Sequence, residues 1–66
     1  MKTKETVHNE LEAKTLIEEA YSRGTEEMYQ GTKFYTHAGQ FLFTCEINLV
    51  TYSRHMPNGD TVTKEL

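Results

Sequence analysis

Cys45, the three histidines His8, His37 and His55, and the paired acids Glu18-Glu19 and Glu26-Glu27 are the side chains of this sequence whose types could do chemistry. A cysteine beside a base serves as a nucleophile or redox centre, histidines with a thiolate or carboxylate hold metals, and paired carboxylates carry protons. None of these arrangements is met. Cys45 lies within the alternation Phe43, Cys45, Ile47, where a free cysteine behaves as a small hydrophobe, and nothing beside it supplies the electropositive setting of a thiolate. The histidine spacing matches no metal motif, and two of the three fall at the edges of expected loops. Neighbouring acids on a helix diverge by about 100° and do not face each other.

The acids therefore form a solvated face first. The sharper alternative is that the acidic surface imitates a phosphate backbone and occupies the cationic groove of a nucleic-acid enzyme. There is no glycine-rich phosphate loop, Ser-His-Asp arrangement or CxxC pair, and Ser22, Ser53 and Asp60 stand without a catalytic context. The expectation is a protein without enzymatic activity, catalytic residues, metal ligands or cofactor.

With 66 residues the chain is read as one small domain, since a chain of about 60 residues buries only roughly 60% of the surface its unfolded form exposes. A lone cysteine excludes an internal disulfide, which leaves a metal, a second subunit or a partner to make up the deficit. No leader-like apolar run opens the sequence, and no stretch approaches the ~20 apolar residues of a membrane span. A cytoplasmic protein is expected. The net charge of −3 is uneven, because residues 1–30 carry seven acids against four bases and residues 31–66 carry three of each. Its few bases are scattered and make no basic stripe, which disfavours nucleic acid as a direct ligand.

Several elements must position these residues. Asn9 with Glu12 resembles a capping box; Ala13, Leu16, Ile17, Ala20 and Tyr21 share a helical face; Gly24 follows as a stop. The spacing predicts a helix over 9–23, with Glu10–Lys14 and Glu19–Arg23 as i,i+4 pairs on its surface. Thr25 to Gly31 reads as one further helical turn, and residues 2–8 as an edge strand or a frayed tail.

Phe41, Phe43, Cys45, Ile47 and Leu49 alternate as one buried strand face. Two hairpin loops flank this run, Pro57-Asn58-Gly59 and the weaker His37-Ala38-Gly39. They set Tyr35 opposite Phe41, Phe34 opposite Leu42 and Lys33 opposite Phe43, and in the second hairpin Arg54 opposite Val62, Tyr52 opposite Lys64 and Val50 opposite Leu66. The apolar phase flips between Asn48 and Thr51. A ribbon from Phe41 to His55 would run about 50 Å at ~3.3 Å per residue, so a bulge or a departure of the chain is required there.

The architecture expected is α+β: one amphipathic helix on a small antiparallel meander of three to four strands near 32–37, 40–48, 49–56 and 60–65. A single helix on one sheet leaves the even-numbered face uncovered, so Phe34 and Leu42 are read either as an exposed interaction patch, extended by Val50, Tyr52, Val62 and Leu66 if the strand runs through without a bulge, or as residues over which the 25–30 turn or the N-terminal strand folds. With Arg54 and the acids Glu18, Glu19, Glu26 and Glu27, the residues Phe34, Leu42 and Tyr52 make up the candidate partner-binding set. In length and acid-rich helix the chain resembles the small accessory proteins that phages and other mobile elements encode to block host enzymes. The reading favours a protein partner whose surface the chain occupies, with self-association as a homodimer through an open face or edge strand. The alternatives are a dimeric β-ribbon regulator presenting Lys33, Arg54 and Lys64 to nucleic acid, and a structural assembly subunit.

Overall fold

The computed structural model describes residues 3–66. Strand β1 (Lys4–Val7) leads into helix α1 (Glu10–Arg23) and a 3-10 helix (Glu26–Tyr29), followed by β2 (Lys33–Thr36), β3 (Phe41–Ile47), β4 (Thr51–His55) and β5 (Thr61–Glu65). The strands form one sheet in sequence order, with β1 and β2 parallel and every later pair antiparallel. The α+β class is as expected, but the sheet has five strands and is mixed. The additional strand is β1: the helix carries the chain back across the sheet, so Lys4–Val7 and Lys33–Thr36 run in the same direction. Residue 2 of the expected edge strand lies outside the described residues. None of the described helices is long and apolar enough to cross a membrane.

Helix α1 starts as the sequence requires, with Asn9 extended and its Oδ1 accepting from the Glu12 amide at 2.9 Å. The reciprocal half of the capping box is not made. Glu12 turns instead to His8, accepting from its amide at 3.2 Å and meeting its Nδ1 at 2.8 Å. Gly24 ends the helix at φ 72°, a left-handed position that a β-carbon disfavours.

The helix buries Ala13, Ile17 and Ala20 against one face of the sheet. Phe34 and Phe43 stack there at 4.9 Å between ring centroids, Tyr29 closes on Phe34 at 5.6 Å, and Val7, Cys45 and Tyr52 complete the core. Phe34 on this face decides between the two readings: Tyr29 from the 25–30 turn covers it, and the candidate interaction patch at Phe34 is not exposed. The first hairpin begins as predicted, with Gly39 at φ 89° and Tyr35 opposite Phe41, but Leu42 is then left unpaired in a bulge and Phe34 faces Phe43. Lys33 accordingly faces Thr44. The bulge puts both phenylalanines inside, whereas the unbulged register would have left Phe34 in water. Leu42 is half-buried and packs against the same core.

The chain leaves β3 after Ile47. The Asn48 amide donates to the Thr51 carbonyl at 3.0 Å, and the turn sets Ile47 opposite Tyr52, which returns both to the core side. That departure is the cause of the phase flip. It also corrects one position of the buried run: Leu49 stands at the tip of the turn, 92% exposed. Phe41 is likewise displaced, by the bulge, to the far face beside Tyr35 at 5.3 Å, where Lys4 lies 4.8 Å over the Tyr35 ring. The rest of that face is polar, with Thr44, Glu46, Ser53, His55, Thr61 and Thr63 in register. The Ser53 and Thr63 hydroxyls meet at 2.9 Å. A face of this composition needs no second layer.

Candidate functional site

Four of the eight candidate contact residues, Phe34, Tyr52, Arg54 and Glu18, are structural. Phe34 is fully buried, as described. Tyr52 is buried and its hydroxyl donates to Glu18 at 2.7 Å. Burial, with the Glu18 carboxylate beside it, raises the phenol above its ordinary range. Arg54 is 9% exposed, ion-paired to Glu10 and 5.8 Å from the Phe43 ring. Glu10 thus takes Arg54 rather than the Lys14 expected from helical spacing.

The acids divide in the same way. Glu18 accepts from Lys64 at 2.6 Å as well as from Tyr52, so it fastens α1 to β4 and β5, and these two bonds hold its carboxyl below the usual range. Glu19 is exposed on the outer side of the helix. Lys33, Arg54 and Lys64, the cations of the ribbon alternative, are not gathered. Lys33 shares the far face with Thr44, while Arg54 and Lys64 sit on the helix side and are neutralised by Glu10 and Glu18.

Glu26 and Glu27 are placed differently. They open the 3-10 helix and, with Gln30, form one wall of a cleft of about 350 Å³ whose other wall is Ile47, Asn48 and Leu49. Its geometry is fixed from below. Gly31 donates to the Cys45 carbonyl at 2.9 Å, Cys45 to Thr32 at 2.8 Å, and the Ile47 amide to Gln30 Oε1 at 2.7 Å. The Tyr21 hydroxyl lies 2.7 Å from the carbonyl oxygens of both Asn48 and Thr51, donating to one at a time, and so ties the turn to α1. Among the described residues no ion pair engages Glu26 or Glu27, and Glu26 Oε1 is enclosed without a hydrogen-bond partner. The arrangement is an acidic wall facing an exposed apolar lip on a rigid support.

Alternation places both Ile47 and Leu49 inward, so neither is a candidate contact residue; Ile47 does pack against the core, whereas Leu49 does not. The signal that finds Leu49 is the length argument: a break after Asn48 makes it a turn residue, and turn tips are exposed.

The reactive side chains remain dispersed. The His8 and His37 rings approach to 4.5 Å, and His55 lies near Thr61 and Glu46. Among the described residues no group of three His, Cys, Asp or Glu is arranged to hold an ion. Burial pushes the Cys45 thiol up to about 12 from its ordinary 9.0. Reaction of native protein with a disulfide reagent at pH 8 is expected to run roughly a thousandfold slower than in denaturant, tenfold for each step in pKa. Equal rates would mean that the Cys45 site opens freely.

No protein-family model, curated protein or solved structure matches the chain.

Proposed function

We propose that this chain is a non-enzymatic protein-binding module that occupies a partner's surface through the cleft between the 3-10 helix and the β3–β4 turn. One observation carries the reading: a leucine 92% exposed faces two acids that no cation of the described chain neutralises. Exposed apolar groups rimmed by charge are the composition of an interface, with the apolar group as anchor and the charges as steering. The matching surface is basic around an apolar spot. The cationic groove of an enzyme acting on nucleic acid has that character, and blocking it would suit a small acidic inhibitor of the mobile-element kind that the chain resembles in size and acidity.

Affinity capture from cells that make the protein tests this, with three baits: wild type, Leu49→Asp and Glu27→Lys. Both positions are exposed, so each variant is expected to keep the wild-type circular dichroism and stability within about 0.5 kcal/mol. A protein retained by wild type and lost from both variants, with affinity falling as salt is raised, is the expected result. Identical retention by all three baits, or a salt-independent affinity, overturns the reading.

A further inference from the structure

Strand β5 ends the sheet, and all five of its residues, Thr61–Glu65, are exposed. Its ladder with β4 shows which of its backbone groups are already used. The Met56 amide donates to the Asp60 carbonyl and the Leu66 amide to the Val50 carbonyl, each at 2.7 Å. In an antiparallel pair such residues alternate with residues whose groups point the other way. Asp60, Val62, Lys64 and Leu66 therefore bond inward to β4, while the amides and carbonyls of Thr61, Thr63 and Glu65 point outward from the sheet. Nothing in the strand blocks further pairing: it holds no proline, glycine or bulge, and its lysine is drawn to the helix side by Glu18.

We propose that β5 pairs antiparallel with β5 of a second copy of this chain about a two-fold axis at Thr63, joining two five-stranded sheets into one. The choice of axis follows from the directions of the backbone groups. With the axis at Thr63, that residue faces its own copy and Thr61 faces Glu65 of the second copy, so every outward-pointing residue forms a hydrogen-bonded pair. An axis at Val62 would pair Thr61 with Thr63 alone and run Glu65 past the Gly59 turn, and one at Lys64 would set two ammonium groups against each other. An axis at Glu65 would set two carboxylates against each other, and one at Thr61 would run Thr63 past the Gly59 turn.

The side chains fit the same axis. On the far face the Thr63 hydroxyls meet each other, and each Thr61 hydroxyl can donate to a Glu65 carboxylate. On the helix side Val62, 40% exposed, faces Lys64 of the second copy, whose aliphatic stem covers it. No like charges are opposed. Leu11, 68% exposed, lies two turns before Glu18 on the same side of α1, and that side reaches β5 through the Glu18–Lys64 bridge. Leu66 borders the strand at its end. The exposed apolar side chains Leu11, Val62 and Leu66 thus lie along the edge that the second copy closes. A second subunit is also a common means by which a chain of this length makes up a small core.

The test is the mass of the purified protein in solution at tens of micromolar, with Thr63→Pro beside it. Wild type is expected at twice the 7.7 kDa chain mass. Proline removes an amide that points away from β4, so Thr63→Pro is expected to keep the monomer fold by circular dichroism and to run at the mass of one chain. If proline unfolds the strand, Thr63→Lys decides instead. It keeps the amide, sets two ammonium groups across the axis, and is expected to weaken the dimer roughly tenfold or more, with partial recovery in salt. Hydrogen exchange locates the contact: the Thr61, Thr63 and Glu65 amides are slowed in the wild-type dimer. A wild-type monomer, a Thr63 variant that stays folded and dimeric as wild type, or fast exchange at those three amides overturns the proposal. None of these outcomes depends on the cleft at Leu49, so the two readings fail separately.

Discussion

Phe34→Asp is expected to unfold the protein. Phe34 is fully buried and lies between the Phe43 and Tyr29 rings, with centroid distances of 4.9 and 5.6 Å. Removing a core phenylalanine costs about 3–5 kcal/mol through lost transfer energy and the cavity left behind. A carboxylate in its place adds the cost of a buried polar group without a partner, about 1–3 kcal/mol even when it takes up a proton. Against this, a domain of this size holds about 3–10 kcal/mol in total, at 0.05–0.15 kcal/mol per residue. Leu42→Asp is the control. Leu42 is the bulged residue, half in solvent, and its aspartate can reach water, so this variant is expected to fold with a lowered midpoint. Denaturant titration followed by circular dichroism separates the two. A cooperative Phe34→Asp transition at the wild-type midpoint would put Phe34 back on the surface and remove the bulge.

That contrast also marks how far local pattern reaches in this chain. Helix α1 was legible because its determinants are adjacent in sequence: Asn9, the apolar face and Gly24. The second hairpin was legible for the same reason, since Pro57-Asn58-Gly59 sets the register in which Arg54 meets Val62 and Tyr52 meets Lys64. The first hairpin was not. Its loop placed Tyr35 opposite Phe41, but the next step depends on whether Leu42 is paired or bulged, and that is decided by the gain from stacking Phe34 on Phe43 beneath the helix. Strand β1 depends on a partner about 29 residues away across a helical crossover, a long-range pairing that no local signal encodes. The acidic half of the candidate site, Glu26 and Glu27, could be read from residue type alone. Its apolar tip, Leu49, continues the alternation of the buried Phe43 and Cys45 and of Ile47 beside them, and only the length argument, which requires a break near Asn48, sets it apart.

Glu10→Ala is expected to destabilise the fold more than Arg54→Met, although the Arg54 side chain is 11% exposed and that of Glu10 is 41% exposed. The asymmetry lies in what each change leaves behind. Without Glu10, the Arg54 guanidinium stays under the helix with no counter-charge, and its Nε is already enclosed without a partner. Loss of one member of a fully buried pair costs about 3–5 kcal/mol; with Glu10 partly in water, about 1–3 kcal/mol is expected. Without Arg54, Glu10 turns to solvent. Methionine retains much of the aliphatic volume over Phe43 and removes both the charge and the unpartnered Nε, so Arg54→Met is expected within about 1 kcal/mol of wild type or above it. At about 4–8 °C per kcal/mol for a domain of this size, the two single variants are distinguishable by thermal unfolding. The double variant supplies the decisive comparison. If Glu10 acts by neutralising Arg54, Glu10→Ala costs less than about 0.5 kcal/mol in the Arg54→Met background. An equal cost in both backgrounds would assign Glu10 to the dipole at the first turn of α1, an effect of about 0.3–1 kcal/mol that does not involve Arg54.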